Sequence, residues 1–416
     1  MDSHILYQNI DSTVLLVDIP RSIEEAQGFL QLPLSQSHPH SDCQRRLVSI
    51  KPCEIPYRTP EPKSLNARRR CCCLRGVGEE REIIHATIIR DLILERYLEF
   101  ALEELRQSVG RKEWCLDRVT EKGMLEENIE NYTSNKRSSS SLNDNHTDEE
   151  STPFKREEFD SRIPNFDLQS SRYYFYQNKE SVSTIISHMG CNYYLPPLST
   201  TIIGSIQSTI GVFSEKENIP QFSIITADPP WPNRSARRNG KYRISNNISE
   251  VENLLLTIPI QHHQAANGIM AIWITNKPKI RSLALKLFDQ WGLSVIEEWI
   301  WLKVTVSGEP IFPISSLWRK PYELLLIGRK VATVILTESD VKRRVLVGVP
   351  DLHSRKPNLK GLLEKEFGFG PGNYTGLEIF ARNSTIGWWS WGFEALMFQE
   401  LRFWKNFDDE KLENRL

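Results

Sequence analysis

The chain is organised around the stretch Phe222-Ser-Ile-Ile-Thr-Ala-Asp-Pro-Pro-Trp231. The apolar run from Phe222 to Ala227 predicts a buried strand, because it is short and ends at turn residues. In open α/β sheets, ligands bind outside the carboxyl ends of the strands. The tetrapeptide Asp228-Pro229-Pro230-Trp231 therefore falls where a ligand site is expected.

The tetrapeptide carries groups that suit a planar amine. Proline holds φ at about −65° and has no N–H, so the turn is stiff and its carbonyls can accept hydrogen bonds. The carboxylate of Asp228, a prolyl carbonyl and the indole face of Trp231 together suit adenine, which has an amino donor and a face that stacks on aromatic rings. The alternative is an ordinary turn in which Trp231 only packs; the buried strand before it favours a site.

From about residue 190 the pattern alternates between strands and helices. Strands are predicted at 222–227, 269–274, 295–302, 322–328, 343–349 and 377–381. Helices are predicted at 280–291, at 357–367 and over the apolar positions between 393 and 404. This alternation predicts an α/β domain with a mostly parallel sheet and helices on both faces.

The N-terminal half has a different pattern. It is rich in proline over 1–75, with a short strand predicted at 13–17 and a packing helix at 79–107. Residues 132–162 are mostly Ser, Asn and acidic residues, which predicts a flexible linker. The predicted domains are an α+β N-terminal accessory domain at 1–131, the linker at 132–162, a connecting segment at 163–189 and the catalytic α/β domain at 190–416.

Composition excludes several classes. The net charge is −1 and the isoelectric point is about 6.8, so a nucleic-acid site would need a local basic patch. No run of about 18 apolar residues is present, so neither a membrane span nor a membrane partner is expected. The seven cysteines form no paired C-x-x-C motif, so we expect reduced thiols and no metal site.

A local basic patch follows the tetrapeptide directly. Residues 234–243 contain five basic side chains and no acid. Arg234, Arg237, Arg238 and Lys241 are candidates for phosphate contacts, and Tyr242 could stack on the substrate or hydrogen-bond to it. A solvated charged loop is the alternative, but the position beside Asp228 favours a nucleic-acid contact.

Polar side chains also follow two later predicted strands. The segment His353-Ser-Arg-Lys-Pro357 follows the strand at 343–349 and is predicted to open a helix. Lys356 and the helix N-terminus could then hold the carboxylate of an amino-acid-like cofactor, the alternative being a helix start with an exposed charge. Arg382 and Asn383 follow the strand at 377–381, on the ligand side of the sheet.

In this order and spacing, the segments resemble the MT-A seventy family of adenine-N6 methyltransferases, nearest to its methyltransferase-like protein 4 branch. The resemblance covers about residues 190–400. It rests on Ala227-Asp-Pro-Pro-Trp231, the basic loop through Tyr242, Trp273-Ile-Thr-Asn276, Glu298-Trp-Ile-Trp-Leu-Lys303, Lys320-Pro-Tyr-Glu-Leu324, His353-Ser-Arg-Lys-Pro357 and Leu377-Glu-Ile-Phe-Ala-Arg-Asn383.

The resemblance implies a Rossmann-like fold, S-adenosyl-L-methionine as the methyl donor, and transfer to the exocyclic amino nitrogen of adenine. The tetrapeptide Asp228–Trp231 is then the catalytic motif. The implied cofactor-binding residues are Asp228, Lys356, Arg382, Asn383 and Glu394. Glu323 and Tyr242 match positions on the substrate side.

This chain departs from the family pattern in two places. Some relatives have an Asp about eighteen residues before the tetrapeptide; the neighbourhood of that position in this chain, which includes Ile203-Gly-Ser-Ile206, has no acid. Relatives also have an Asn after a late Gly, where this chain has Phe393 followed by Glu394. Both departures concern contacts near the adenosine end of the cofactor.

The branch favours RNA as the substrate, in particular small nuclear RNA with a target adenosine or 2′-O-methyladenosine, giving m6A or m6Am. Methylation of adenine in DNA (6mA) stays open, because the chemistry is the same. A non-catalytic RNA-binding scaffold is the alternative from another class, and an enzyme that acts on free nucleotides is a third.

Nuclear residence, with the cytoplasm as a second location, is expected from the substrate class and from Arg68-Arg69-Arg70. A monomer is compatible with the sequence.

Overall fold

The structure is a computed structural model, and it describes residues 3–28, 45–57, 79–110, 114–120, 173–215, 219–232, 248–316, 319–330 and 340–406. The predicted linker at 132–162 and the basic run Arg68–Arg70 lie outside the described residues. Among the helices described, none is both long enough and apolar enough to cross a membrane.

The described residues form strands throughout the chain. In chain order they are β1 (Ile5–Gln8), β2 (Val14–Val17), β3 (Arg45–Ser49), β4 (Val119–Thr120), β5 (Tyr174–Gln177), β6 (Thr184–His188), β7 (Cys191–Leu195), β8 (Thr200–Ile203), β9 (Phe222–Ala227), β10 (Gln264–Ile274), β11 (Ser294–Lys303), β12 (Tyr322–Arg329), β13 (Lys342–Gly348), β14 (Thr375–Ile379), β15 (Trp388–Trp391) and β16 (Trp404–Asn406). All six strands predicted in the catalytic region are confirmed, with ends displaced by a few residues.

Helices lie between these strands. They are α1 (Ile19–Ala26), α2 (Glu79–Val109), α3 (Ile206–Thr209), α4 (Val212–Glu215), α5 (Ile248–Thr257), α6 (Ile260–His263), α7 (Pro278–Gln290) and α8 (Lys360–Phe367). The helix predicted at 79–107 is confirmed as α2, and the one predicted at 280–291 is confirmed as α7.

The main sheet has eleven strands in the order β1-β2-β13-β11-β12-β10-β9-β14-β15-β8-β5. Its centre pairs β9 in parallel with both β10 and β14. The strands β1, β5 and β12 pair antiparallel with their neighbours, and the other pairings are parallel. This confirms the mostly parallel, Rossmann-like α/β sheet.

The N-terminal strands belong to this same sheet. β2 pairs in parallel with β13, joining Val14 to Val345 and Leu16 to Val347. β5, from the predicted connecting segment, pairs with β8 at the other edge. The predicted boundary at residue 131 therefore does not separate β1 and β2 from the catalytic sheet. The division of the rest of residues 1–131 stays a prediction.

The sheet is buried on both faces, as a parallel sheet requires. Successive side chains of a strand point to opposite faces, so Ile225 of β9 joins the hydrophobic core that includes α2 and α7. Ile224 joins the core on the other face, which includes Leu362 and Leu363 of α8. The short apolar run of β9 is thus explained by burial from both sides.

Two helix predictions near the C-terminus need correction. The helix predicted over 393–404 is absent: the segment consists of turns, a 3₁₀ turn at Leu401–Phe403 and β16. Phe398, Phe403 and Trp404 of this segment instead pack in a cluster with Tyr194 and Leu47, while Phe393 is exposed. The helix predicted from Pro357 begins at Lys360, so Lys356 does not stand at its first turn.

Candidate active site

Six charged side chains of alternating sign form a continuous chain of ion pairs, here called the charged row. Its members, in spatial order, are Lys303, Glu323, Lys356, Asp228, Arg382 and Glu394. Five of them were predicted as site residues, and the structure brings those five together. Lys303 lay in a quoted motif but had no predicted role.

The sheet topology explains why the charged row assembles. Asp228 follows β9, Arg382 follows β14 and Lys356 follows β13, so all three come from the carboxyl ends of parallel strands. Glu323 lies at the start of β12, which runs antiparallel and therefore begins at the same edge. The chain leaves β9 toward β10 on one side, while β14 lies on the other, and a ligand crevice forms at such a switch point.

Asp228 lies at the centre of the row and is paired on both sides. Its Oδ2 is 2.7 Å from Arg382 Nη1, and its Oδ1 is 3.3 Å from Lys356 Nζ. The side chain is 19% exposed. A donor from a ligand can therefore reach this carboxylate, but it has to compete with two cations.

Ion pairs with their neighbours keep Glu323 and Lys356 of the charged row ionised. Lys356 Nζ and Lys303 Nζ each lie 2.5 Å from a different oxygen of Glu323. Burial alone would raise the pKa of Glu323, but the two lysines outweigh it and hold that pKa well below its usual range. Burial opposes the charge on Lys356, yet Asp228 and Glu323 raise its pKa above the ordinary value. Both groups therefore stay ionised near neutral pH.

Asp228 borders a pocket at this edge of the sheet. The pocket is lined among others by Asp228, Trp273, Lys356, Glu378, Arg382 and Asn383. The Oδ1 atom of Asn383 is buried and has no hydrogen-bond partner among the described residues. An unpaired buried carbonyl is costly, so this atom is a candidate acceptor for a donor on a bound ligand.

The tetrapeptide is shaped differently from the sequence prediction. The carbonyl of Pro229 already accepts a hydrogen bond from the Trp231 backbone N–H at 2.7 Å. Trp231 is only 6% exposed and its indole N–H donates to the carbonyl of Trp273 at 2.7 Å. Trp231 thus fixes the turn against β10. The indoles that line the pocket are those of Trp273 and Trp388, and Lys356 Nζ lies 5.1 Å from the ring centre of Trp273.

Two residues with unfavourable backbone angles border the pocket. Ser354 has φ of 70° and Phe380 has φ of 61°, in the left-handed region that favours glycine. Such a conformation costs a non-glycine residue roughly 1–2 kcal/mol and persists only where the surrounding fold holds it. Each of these residues lies two positions before a cation of the charged row, Ser354 before Lys356 and Phe380 before Arg382. The left-handed conformation therefore occurs in both loops just before the chain reaches the charged row.

A buried cluster outside the predicted site holds the loop that carries Lys356. Asp351 accepts hydrogen bonds from Arg355 Nη1 at 2.6 Å, from the backbone N–H of Ile50 at 3.1 Å and from Ser49 Oγ at 3.2 Å. Arg118 donates to the carbonyls of Val349 and Pro350. We call Asp351, Arg355 and Arg118 the loop clamp.

The N-terminal helix α1 and the residue that follows it, Gln27, also hold both site loops. Gln27 Nε2 donates to the carbonyl of Ser384 at 2.7 Å, directly after Asn383. The backbone N–H of Asn358 donates to Ser22 Oγ at 3.0 Å. Sequence reasoning missed these contacts and the loop clamp, because most of their partners lie hundreds of positions apart; Asp351 and Arg355 are four positions apart, but nothing in the sequence shows that both are buried. The sole available signal was a polar Asp351 directly before the His353–Pro357 motif.

Glu378 gives the pocket a titratable group near neutral pH. Burial raises its pKa to about 7, with the negative charge of Asp228 adding to the effect and Arg382 opposing it. An unfolded Glu has a pKa of about 4.3. Between these values the folded chain keeps a proton that the unfolded chain has lost. The resulting stabilisation is fully present below about pH 4.3 and is lost as the pH rises through about 7.

Replacing Glu378 with Gln, which cannot titrate, should therefore make stability less dependent on pH. We expect the free energy of unfolding of Glu378→Gln to exceed that of the wild-type protein by more at about pH 8 than at about pH 5. Urea denaturation at both pH values measures this difference. An equal difference at the two pH values would contradict the raised pKa.

The remaining predicted site residues belong to the basic loop at 234–243. Arg234, Arg237, Arg238, Lys241 and Tyr242 lie outside the described residues, so their roles stay predictions. Glu394 lies at the end of the charged row, 3.2 Å from Arg382 Nε. In the part of the chain that the structure describes, no cluster of three or more His, Cys, Asp or Glu side chains could hold a metal ion.

A mostly parallel sheet with a charged pocket at its strand ends defines the chain as an α/β enzyme of the Rossmann-like class. Comparison with known proteins gives the family, since the MT-A70 family model matches residues 222–394. The chain belongs to the MT-A70 family of adenine-N6 methyltransferases, as the resemblance in its motifs predicted.

Individual relatives agree with this assignment and extend it. The N6-methyladenosine RNA methyltransferase MTA1 of Cryphonectria parasitica is 36% identical, covering 96% of this chain and 94% of its own length. The protein of the same name from Pyricularia oryzae is 34% identical, with 97% of each chain covered. The human N(6)-adenine-specific methyltransferase METTL4 is 35% identical over 55% of this chain and 48% of its own. The similarity to the fungal proteins includes the N-terminal region that holds the site loops.

Proposed function

We propose that this protein transfers the methyl group of S-adenosyl-L-methionine to the exocyclic amino nitrogen of adenine in RNA. The observation that carries the proposal is the position of Asp228, a partly exposed carboxylate at the end of β9, within an MT-A70 domain. The names of the two fungal relatives, both RNA methyltransferases, support RNA.

The pocket residues fit the proposed cofactor. Its amino-acid end carries a carboxylate and an ammonium group, for which Lys356 and Arg382 offer positive charge and Asp228 offers negative charge. The Oδ1 of Asn383, which has no partner in the part of the chain that the structure describes, is an acceptor for a hydroxyl or amino donor. When bound, the cofactor supplies an electrophilic methyl group on a positively charged sulfur. Because the segment Ile203–Ile206 lacks the Asp found in some relatives, other residues would have to hold the adenosine end of the cofactor.

The protein's own residues bind and orient the adenine amino group. Asp228 accepts a hydrogen bond from the adenine amino group and stabilises the positive charge that develops on that nitrogen during transfer. The carbonyl of Pro229 has a second lone pair and can accept from the same amino group. Trp231 keeps the turn in place, which orients the nitrogen, and most of the acceleration would come from this alignment. A strong base is not required, because the proton of the methylated ammonium can pass to Asp228 or to water.

The substrate test compares matched oligonucleotides. Purified protein is incubated with S-adenosyl-L-methionine and either an RNA or a DNA of the same sequence, and the nucleosides are then measured by mass spectrometry. We expect N6-methyladenosine from RNA, and an RNA whose target is 2′-O-methyladenosine tests the proposed m6Am product of small nuclear RNA. Methylation of the DNA alone would overturn the RNA proposal, and methylation of adenosine monophosphate alone would favour an enzyme of free nucleotides.

A non-catalytic RNA-binding scaffold is the second candidate. The charged row disfavours it, because a scaffold does not need a carboxylate held between two cations at a pocket. Isothermal titration with S-adenosyl-L-methionine separates the two, since a scaffold would bind RNA without binding this compound. Nuclear residence is a further part of the proposal and rests on the substrate class and on Arg68–Arg70.

A further inference from the structure

Helix α2 has a second apolar face, which the described residues leave uncovered. Its inner face packs on the main sheet through Leu94, Leu98, Leu102 and Leu105. On the outer face the large apolar side chains are exposed, namely Ile88 (48%), Ile89 (57%), Leu92 (57%), Ile93 (56%) and Phe100 (73%). A surface helix normally carries one apolar stripe, and an exposed second one marks an interaction surface.

These exposed side chains form one stripe. Residues three and four positions apart are neighbours on a helix, and Ile89, Leu92, Arg96 and Phe100 follow that spacing. Ile93 borders the same stripe. Leu92, Ile93, Arg96, Tyr97 and Phe100 form one open, shallow surface along it, against which a second helix could pack.

Charges of both signs accompany the stripe. Arg96 and Glu99 have side chains that are 78% and 50% exposed, and they form an ion pair within the helix. When one copy of the helix is placed antiparallel to another, with Tyr97 at the centre, Arg96 of each copy comes beside Glu99 of the other. In the same register Ile93 of each copy comes beside Phe100 of the other. A twofold axis makes each contact occur twice.

We propose that the outer face of α2 binds the same face of a second copy of this chain, with the two helices antiparallel. The self-complementary order of charges and apolar side chains favours this occupant. A nucleic acid fits less well, because Glu99 and Glu103 accompany Arg96 on the stripe. The inferred pairing goes beyond the methyltransferase activity and does not depend on it.

The expected dimer is weak. Residues 88–103 span roughly 22 Å of helix at about 1.5 Å per residue. A single helix pair of that length is smaller than a standard protein interface. We therefore expect a dissociation constant on the order of micromolar. At lower concentrations the protein would be a monomer.

Sedimentation velocity of the full chain at about 1 to 100 μM tests the pairing. The wild-type protein should shift from monomer to dimer over this range, and Phe100→Ser should stay monomeric with an unchanged melting temperature. Phe100 is 73% exposed, so its replacement does not open the core. A wild-type protein that stays monomeric throughout would overturn the proposal.

Charge reversal tests the antiparallel register. Arg96→Glu and Glu99→Arg each place like charges across the proposed pairing, so each variant alone should dimerise roughly tenfold more weakly. An equal mixture of the two variants should recover the dimer, because two glutamates then face two arginines. Damage to the helix within one chain cannot be repaired by mixing. A mixture that remains as weak as the separate variants would contradict this pairing and point to a different occupant.

Discussion

Replacing Asp228 with Asn is expected to lower kcat/KM for adenine methylation at least a hundredfold, on the order of the loss seen when an enzyme loses one group that stabilises its transition state. The amide keeps the shape of the side chain but loses its negative charge. It also presents an N–H₂ group to Arg382 and Lys356, which now face each other without the shared carboxylate. The amide oxygen of Asn and the carbonyl of Pro229 can still accept a hydrogen bond, but the adenine nitrogen would lose the negative charge that stabilises its developing positive charge.

The measurement is methyl transfer to the RNA oligonucleotide, read by mass spectrometry of nucleosides. Asp289→Asn is the matched control, because Asp289 is exposed on α7 and does not line the pocket. Both variants should keep the melting temperature of the wild-type protein to within a few degrees, since Asp228 is outside the apolar core. A folded Asp228→Asn protein with full turnover would refute the assigned role of Asp228.

Replacing Asp351 with Asn should have the largest effect on stability. The side chains of Asp351, Arg355 and Arg118 are at most 1% exposed, and the carboxylate of Asp351 is the negative member of the loop clamp. The substitution leaves two buried guanidinium groups without their anion. Breaking a buried ion pair by removing one partner costs about 3–5 kcal/mol. We expect a loss of that size in the free energy of unfolding, measured by urea denaturation.

Asp351→Asn also tests whether the N-terminal region supports the active site. The loop clamp ties the Lys356 loop to β3 and to Arg118, so methylation should fall even at temperatures where the variant is folded. Glu54→Gln is the control: it removes an ion pair with Lys51 in which both side chains are mostly exposed, and no measurable loss is expected. Stability of the Asp351 variant equal to that of the control would show that the clamp contributes little.

The local pattern of the sequence determined the core of the catalytic sheet. Short apolar runs such as 222–227 and 322–328 identified strands correctly, because burial on both faces leaves a signal within each strand. Asp228, Lys356 and Arg382 were found for the same reason. Each follows a predicted strand, and parallel strands end at one edge of a sheet. The family resemblance then assigned the chemistry of these residues.

The segment at 393–404 shows where local pattern fails. Its apolar spacing fits a helix, but Phe398 and Trp404 pack instead against β3 and β7, so tertiary contacts override the helical pattern. The burial of Trp231 is a similar case. Its indole N–H finds the carbonyl of Trp273, forty-two positions along the chain, and the exposed face that the sequence suggested is lost.

The sequence by itself therefore determined the class of sheet, the tetrapeptide and most of the charged residues at the pocket. The tertiary structure alone decided how those residues pair, that the indoles of Trp273 and Trp388 border the pocket, and that residues 5–27 belong to the catalytic sheet and its loops. Hydrogen bonds such as those from Gln27 to Ser384 and from Ser49 to Asp351 join positions about 300 or more residues apart. Such contacts depend on which surfaces meet when the sheet closes, and periodicity within one segment carries no information about them.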